Sequence, residues 1–130
     1  MVKHTGSSAR MFHRNVLVTY KPLLWFTKGT RPKIFEFIDD SVESQRPDKT
    51  LHSWTQSTDE AVHVISKLTV PNDVVLDPLM GTGTTGIAAI HLKRRFVGIE
   101  ENADMLQIAR TRLSPMISSD QTPPTILEKI

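Results

Sequence analysis

Two short apolar runs in the second half of the chain restrict its fold more than any other feature. Residues 73–77 (DVVLD) and 96–100 (FVGIE) are each nearly all apolar, which is typical of parallel strands covered on both faces. A helical stretch from about Thr84 to Lys93 connects the two runs. A strand, a helix and a second strand in this order predict an α/β unit with a parallel strand pair and a right-handed crossover.

Two further helices are predicted on either side of this unit. The first begins at Ser57, where Ser57-Thr58-Asp59-Glu60 fits the capping box, in which a serine hydroxyl and a glutamate carboxylate satisfy free backbone N–H groups. The second begins after Asn102, which we predict as its cap, and runs to about Leu113. Residues 57–113 therefore predict the order helix, strand, loop, helix, strand, helix.

The first part of the chain carries a different pattern. Residues 15–28 (NVLVTYKPLLWFTK) are rich in β-branched and aromatic side chains and are interrupted by Pro22, so they predict two short strands or one broken edge strand. Residues 33–38 alternate like a strand, and the polar residues 39–53 predict a loop. We divide the chain into a flexible basic segment (1–13), one domain (14–113) and a disordered tail (114–130).

The composition is that of an ordinary globular domain and excludes several classes of protein. A chain of 130 residues is one domain or part of a larger one. It has no cysteine, so it has neither a disulfide nor a thiolate metal site, and we expect no metal. No apolar run approaches the roughly 18–20 residues of a membrane span, and the N-terminus lacks the apolar core of a signal peptide. We therefore expect a cytoplasmic protein.

Basic residues are concentrated near the N-terminus. Residues 1–33 carry seven Lys or Arg and no acid, although the net charge of the whole chain is only +2. A basic segment of this kind suits contact with the phosphates of DNA. A solvated N-terminal arm would show the same charge pattern, so both interpretations stay open.

The carboxyl end of the first predicted strand carries the residues that indicate a ligand site. Asp77 ends the strand, and Gly81 and Gly83 lie in the turn before the helix. Ligands of open α/β sheets bind outside the carboxyl ends of the strands, and glycine lets the backbone approach them closely. The next strand ends in Glu100, whose carboxylate can accept hydrogen bonds from both hydroxyls of a ribose. These residues predict a nucleotide-type site.

Several ligands have to be compared for this site. The P-loop is excluded, because no lysine follows a glycine at the required spacing. The dinucleotide fingerprint G-x-G-x-x-G fits Gly81, Gly83 and Gly86 and is the stronger rival. Asp77 disfavours it, since a carboxylate repels a pyrophosphate but pairs with the ammonium group of S-adenosylmethionine (SAM), which has no phosphate. A further alternative is that Asp77 only caps the next helix and the glycines only form a tight turn.

Residues 74–113 resemble the SAM-binding region of DNA amino-methyltransferases, the enzymes that methylate adenine N6 or cytosine N4. The family pattern is D-P-F-x-G-S-G-T-T, then an arginine, then G-I-E or G-I-D. Here Leu79 replaces the phenylalanine and Thr82 the serine. Residues 51–57 (LHSWTQS) resemble the family's H-P-T-Q-K-P stretch, and residues 20–29 (YKPLLWFTKG) resemble the strand after its catalytic region. The resemblance implies a partial Rossmann-like methyltransferase fold, with a mostly parallel sheet flanked by helices.

The resemblance also implies SAM as the cofactor and a role for each matching residue. Asp77 and the turn Gly81–Thr85 would hold the methionine part of SAM, with the hydroxyl of Thr84 or Thr85 at its carboxylate. Glu100 would bind the ribose hydroxyls, and Ile99 or Glu101 would border the adenine. Gln56 and Ser57 would line the methionine side. The candidate cofactor-binding residues are Gln56, Ser57, Asp77, Pro78, Gly81, Thr82, Gly83, Thr84, Thr85 and Glu100.

The catalytic motif of that family, [DNS]-P-P-[YFW], does not occur among these 130 residues. It accepts hydrogen bonds from the target amino group and stacks an aromatic ring on a flipped base. The only Pro-Pro step, Pro123-Pro124, has no aromatic residue beside it, so we assign no catalytic residue.

We therefore expect the SAM-binding part of a site-specific DNA methyltransferase of the restriction–modification type, incomplete alone. It would be a gene fragment, an excised domain or one chain of a split enzyme whose second chain supplies the motif. In each case DNA would be a partner, through the basic N-terminal segment. The alternative is a catalytically inactive remnant that binds nucleic acid or a partner protein.

Overall fold

The computed structural model describes residues 2–4, 9–11, 16–18, 20–29, 39, 41–44, 57–117 and 125–128. The strand predicted at residues 33–38 lies outside the described residues, and so does Gln56. The described elements are β1 (Val2–His4), β2 (Ala9–Met11), β3 (Val16–Val18), β4 (Tyr20–Lys21), β5 (Val42–Ser44), α1 (Thr58–Leu68), β6 (Val74–Asp77), α2 (Thr84–His91), β7 (Arg95–Ile99), α3 (Ala103–Ile117) and β8 (Thr125–Glu128).

The principal sheet contains β6, β7 and β8, in that order and all parallel. β7 is the middle strand, with Asp77 of β6 opposite Gly98 on one side and Leu127 of β8 opposite Gly98 on the other. The two apolar runs thus form a parallel pair joined by a helix, as predicted. The α/β fold class is confirmed.

One face of this sheet carries the hydrophobic core. Phe96 of β7 is fully buried, and α2 and α3 approach it closely: a Cβ added to Gly86 of α2 would lie 2.6 Å from the Phe96 ring and 3.1 Å from Leu113 of α3. α1 packs on α2. Side chains alternate along a strand, so Val74 and Leu76 point to the opposite face, where both are exposed.

The helix starts follow local sequence signals. Ser57 is the N-cap of α1, as predicted, but its hydroxyl oxygen accepts the N–H of Asp59 at 3.3 Å, one residue earlier than in the predicted capping box. Asn102 caps α3 as predicted, because its side-chain oxygen accepts the N–H groups of Asp104 and Met105. Such caps satisfy donors that the first helical turn leaves without a partner.

The N-terminal strands belong to two small sheets. β4 and β5 flank β1, antiparallel and parallel respectively, and β2 pairs with β3 in an antiparallel ladder. Residues 15–28 contain two short strands, β3 and β4, but both lie before Pro22, and residues 22–27 form no strand. Three predictions are corrected here: no strand follows Pro22, β1 and β2 lie in the segment expected to be flexible, and β5 lies in the stretch expected to be a loop. Most of these pairings join segments that are distant in sequence, so local composition does not indicate them.

The C-terminal part also differs from the sequence prediction of a disordered tail. α3 continues past Leu113 to Ile117 and includes Pro115, which has no N–H to donate to the carbonyl of Thr111. The hydroxyl of Ser114 donates to that carbonyl instead, at 3.3 Å. β8 then adds to the principal sheet through β7. The division of the chain into three segments itself stays a prediction.

No helix in the described part of the chain is long and apolar enough to cross a membrane.

Candidate functional site

The loop between β6 and α2, residues 78–83, is attached to the carboxyl end of β7. The N–H of Met80 donates to the carbonyl of Ile99 at 3.0 Å, and the N–H of Gly83 closes a turn on the carbonyl of Met80 at 2.9 Å. The Met80 side chain is buried over Gly98, where an added Cβ would collide with its sulfur atom. The loop therefore lies across the carboxyl ends of both strands.

The conformation of this loop depends on two glycines. Gly81 has a φ of +54° and Gly83 a φ of +82°, both in the left-handed region that side chains with a Cβ rarely adopt. Gly83 is the N-cap of α2, with no side chain to cap the helix. Glycine is therefore favoured at both positions by the left-handed φ angles of the loop, whether or not a ligand approaches it.

Glu100 joins the loop to the end of β7. One of its carboxylate oxygens accepts the N–H of Gly81 at 2.9 Å, and the other accepts the N–H of Asn102 at 2.9 Å. Its own N–H donates to the carbonyl of Glu128, which extends the β7–β8 ladder by one bond. A carboxylate oxygen has two lone pairs, so each can accept one more hydrogen bond from a ligand. The two halves of the predicted site, the glycine turn and the acid, are in direct contact.

Asp77 lies at the carboxyl end of β6, where it is half-buried. One of its side-chain oxygens accepts the N–H of Leu79 at 3.1 Å, which shapes the first turn of the loop. The alternative that Asp77 caps α2 is wrong, because the cap of that helix is Gly83. Asp77 and Glu100 thus place two carboxylates next to one loop.

The loop leads directly into α2, whose first residues are Thr84 and Thr85. The N–H groups of a first helical turn have no partner within the helix and form the positive end of its dipole. An anionic group such as a carboxylate is stabilised there. Both threonines are half-buried. The side chains of this turn therefore border the position that suits an anionic group.

Thr82 is buried between the two glycines and contacts α3. One guanidinium nitrogen of Arg112 donates to the Thr82 carbonyl at 2.6 Å and to its hydroxyl at 3.0 Å. A Cβ added to Gly83 would lie 3.1 Å from Cβ of Ala109 and 3.3 Å from Cδ1 of Leu113, also on α3. Sequence analysis missed Arg112, because it is 30 residues from Thr82 and belongs to no motif. Its spacing of three residues from the buried Ala109 is what places it near the inner side of the helix.

The remaining predicted site residues make fewer contacts with this loop, or lie outside the described residues. Pro78 is exposed at the start of the loop. Ser57 is buried, and its hydroxyl forms the α1 cap described above. Gly86, the third glycine of the dinucleotide pattern, lies against Phe96, so it serves the packing of helix on strand. Gln56 lies outside the described residues, and the roles of all ten residues stay predictions.

The arrangement is suited to binding. Carboxylates at Asp77 and Glu100 can accept hydrogen bonds from an ammonium group and from hydroxyls, while the first turn of α2 suits an anion. One ligand with an ammonium, a carboxylate and two neighbouring hydroxyls would match all three. In the described part of the chain, no three His, Asp or Glu side chains are grouped so that they could hold a metal ion.

Comparison with known protein families identifies the family of this chain. A sequence profile of the family described as DNA methylase, the N6 and N4 methyltransferases, matches residues 39–111, more than half of the chain. The chain therefore belongs to this DNA methylase family. The predicted family is confirmed.

Two curated relatives match this chain over part of their length. The type II methyltransferase M.HinfI of Haemophilus influenzae is 43% identical over 65 residues, which cover 50% of this chain and 18% of that protein. The type II methyltransferase M2.DpnII of Streptococcus pneumoniae is 48% identical over 50 residues, which cover 38% and 19%. The matched segments cover less than a fifth of the length of either relative.

Solved structures share the fold. The crystal structure of the M1.HpyAVI–SAM complex matches with a TM-score of 0.60 and 31% identity, covering 86% of this chain and 58% of that one. The structure of TTHA0409 from Thermus thermophilus, also complexed with S-adenosyl-L-methionine, has a TM-score of 0.54 and 22% identity and covers 88% and 48%. The Rossmann-like methyltransferase fold predicted from the sequence is confirmed.

Proposed function

We propose that this chain binds SAM at the carboxyl ends of β6 and β7 and forms the donor half of a DNA methyltransferase. The whole enzyme would transfer a methyl group to adenine N6 or cytosine N4. Family membership supports the class of reaction. The observation that carries the proposal for the cofactor is the contact between Glu100 and Gly81, which brings acid and glycine turn to one place.

The residues present fit SAM better than a dinucleotide. SAM has an ammonium group, a carboxylate, a sulfonium and two ribose hydroxyls, and it has no phosphate. Asp77 and Glu100 are both acceptors, and a pyrophosphate between them would be repelled. The relative M1.HpyAVI, which shares 31% identity, was solved with SAM bound. Both arguments favour SAM.

Each residue would act on a different part of the cofactor. The Asp77 carboxylate would pair with the ammonium group, and the first turn of α2, with the hydroxyl of Thr84 or Thr85, would hold the carboxylate. Glu100 would accept hydrogen bonds from the ribose hydroxyls while keeping Gly81 in place. Gln56, Ser57, Pro78 and Thr82 would complete the methionine side, and Ile99 or Glu101 would border the adenine.

The contribution of this chain to catalysis would be orientation. SAM, when bound, supplies a methyl group already activated by the adjacent sulfonium. Fixing the methionine end at α2 and the ribose end at Glu100 holds such a donor in one direction, which lowers the entropic cost of reaching an in-line geometry. Burial of Met80 and Thr82 beneath the loop limits how far the loop can move.

The acceptor side would come from elsewhere. The 130 residues contain no [DNS]-P-P-[YFW] motif, so we propose that methylation needs this motif from further sequence of the same protein or from a second chain. The seven basic residues of 1–33 would contact DNA phosphates, which position a nucleic acid without reading its sequence.

Calorimetric titration with SAM tests the cofactor proposal. We expect the wild-type chain to bind SAM in preference to NAD. We expect Glu100→Gln to bind SAM at least about tenfold more weakly, because the amide is neutral and cannot accept an N–H group at each of its two terminal atoms as the carboxylate does. Asp104→Asn is the matched control, because this exposed carboxylate lies in the first turn of α3 and is none of the candidate site residues. A folded wild-type chain that binds no SAM, or that prefers NAD, would contradict the proposal.

An inactive DNA-binding or partner-binding remnant is the second candidate, favoured by the missing motif and the basic N-terminal segment. A methylation assay on DNA separates the two. The donor-half proposal expects no activity from the chain alone and activity once a chain carrying [DNS]-P-P-[YFW] is added. If no such chain restores activity while DNA binding is retained, the remnant is favoured.

A further inference from the structure

We propose that Arg112 of α3 is a positioning residue for the cofactor. It holds the peptide group between Thr82 and Gly83 in one orientation and thereby determines the direction of the N–H groups in the first turn of α2. This inference rests on the proposed function, since these N–H groups would face the methionine end of SAM. Arg112 lies outside every sequence motif of the site and touches the loop through its guanidinium group.

The contacts hold this one peptide group at both of its polar ends. Its carbonyl, on Thr82, accepts from Arg112 at 2.6 Å, while its N–H, on Gly83, donates to the carbonyl of Met80 at 2.9 Å. A peptide group is planar, so two opposed hydrogen bonds determine its orientation. The same guanidinium nitrogen also holds the Thr82 hydroxyl at 3.0 Å, which fixes the side chain together with the backbone.

Such a restraint is needed at this position. The residues on either side of Thr82 are glycines with left-handed φ angles, and glycine has the widest choice of backbone conformations. The glycines permit the shape of the loop but do not select it. A charge-assisted hydrogen bond from a neighbouring helix selects it, because such bonds are roughly twice as strong as neutral ones.

α3 is suited to act as the fixed side of this contact. Ala109 and Leu113 are fully buried, and both lie within van der Waals distance of the Gly83 backbone position. Arg112 is half-buried on the same side of the helix. A change at Arg112 should therefore loosen the loop while the packing of α3 is retained.

The effect on the cofactor follows because the Thr82–Gly83 peptide leads directly into α2. Gly83 is the N-cap of α2, and its carbonyl accepts the N–H of Ile87 at 3.0 Å, which begins the helix. Rotation of the Thr82–Gly83 peptide would turn the N–H groups of Thr84 and Thr85 away from the ligand. Arg112 would thus act on the SAM carboxylate from a distance, through Thr82 and Gly83.

Arg112→Met tests the inference in two measurements. We expect the dissociation constant for S-adenosylhomocysteine, measured by calorimetry, to rise about tenfold, and the amide of Gly83 to exchange with solvent about tenfold faster. Arg112→Lys should recover part of both effects, since lysine keeps the charge but not the planar fork. Thr82→Val removes only the hydroxyl contact, so it should cause a smaller loss in both measurements.

Arg110→Met is the matched control. Arg110 is on the same helix, but it is exposed and donates to the carbonyl of Leu127 at 3.5 Å, away from the loop between β6 and α2. Arg110→Met should leave both measurements unchanged.

If the wild-type chain does not bind S-adenosylhomocysteine at all, the proposed function fails. Amide exchange of Gly83 still tests whether Arg112 restrains the Thr82–Gly83 peptide. Unchanged exchange and affinity in Arg112→Lys and Thr82→Val would overturn the inference even where Arg112→Met does not fold.

Discussion

At the scale of single residues, two glycines of the loop between β6 and α2 share a left-handed backbone and differ in their surroundings. A Cβ at Gly81 would meet nothing within 4 Å, whereas a Cβ at Gly83 would lie 3.1 Å from Ala109 and 3.3 Å from Leu113. We expect Gly81→Ala to lower the free energy of unfolding by about 1 kcal/mol, through backbone strain alone. Gly83→Ala should cost about 2–3 kcal/mol, because a steric clash is added.

Urea unfolding of the two variants measures the difference directly, with the wild-type chain as reference. Equal losses of stability for the two variants would contradict the placement of Gly83 against α3. A larger loss for Gly81→Ala would contradict the loop as a whole.

The site residues differ in how far sequence could reveal them. Sequence predicts the two acids, Asp77 and Glu100, because each stands at the carboxyl end of a strand and can accept hydrogen bonds. It predicts Gly81 and Gly83 because glycine lets the backbone of the following turn approach a ligand. Arg112 was not predicted, because its function depends on α3 packing beside the loop. The contact of Met80 with Gly98 was missed for the same reason: it joins two elements that sequence describes separately.

At the scale of elements, Arg94 connects the end of α1 to the end of α2. It is buried, and its guanidinium group donates to the hydroxyl of Thr69 at 2.9 Å, to the carbonyl of Thr69 at 2.6 Å and to the carbonyl of Leu92. We expect Arg94→Met to lower the free energy of unfolding by about 2–3 kcal/mol, because three carbonyl or hydroxyl acceptors lose a charged donor.

The neighbouring Arg95 provides the control for this prediction. It is exposed and makes a hydrogen bond to the carbonyl of Asn72 at 3.0 Å. Arg95→Met should cost less than about 1 kcal/mol in the same denaturant titration. A cost for Arg94→Met no larger than for Arg95→Met would show that Arg94 does not join the two helices.

β8 is the element that sequence predicted least well. β8 comes directly after Pro123 and Pro124 in the sequence, and its strand character depends on pairing with β7, a neighbour that local patterns do not reveal. The apolar runs that form β6 and β7 carry their own signal, because a strand buried on a face must be apolar. Helix starts are equally local, since Ser57 and Asn102 act within three residues of themselves.

Two residues of β8 test whether it belongs to the sheet. Leu127 packs on the core and Ile126 faces the exposed side. We expect Leu127→Ala to lower the free energy of unfolding by about 1–2 kcal/mol and Ile126→Ala by less than about 0.5 kcal/mol, in parallel urea titrations. Equal effects of the two substitutions would argue that β8 does not pack in this register.

At the scale of the whole molecule, a cofactor that binds the folded chain and not the unfolded chain must raise its stability. At a concentration one hundred times the dissociation constant, this linkage contributes about 2.7 kcal/mol. For a domain of this size we expect SAM to raise the melting temperature by roughly 10 °C, and NAD to have little effect at the same concentration. A melting temperature that responds to NAD and not to SAM would favour the dinucleotide alternative.

The exposed face of the principal sheet also concerns the whole molecule. Parallel sheets have both faces covered in most proteins, yet Val74, Leu76 and Ile126 are exposed on one face here. Sequence could predict the fold class from the βαβ unit, but it could not predict an uncovered face, since both strands carry apolar residues on both faces.

The central claim is that SAM binds across the carboxyl ends of β6 and β7, and NMR of the isotopically labelled chain tests it most directly. Titration with S-adenosylhomocysteine should shift the backbone amide signals of Gly81, Gly83, Thr84, Thr85 and Glu100, and leave those of residues 69–73, at the opposite end of β6, nearly unchanged. Signals that shift elsewhere, or a folded chain whose loop signals do not move at saturating ligand, would contradict the account.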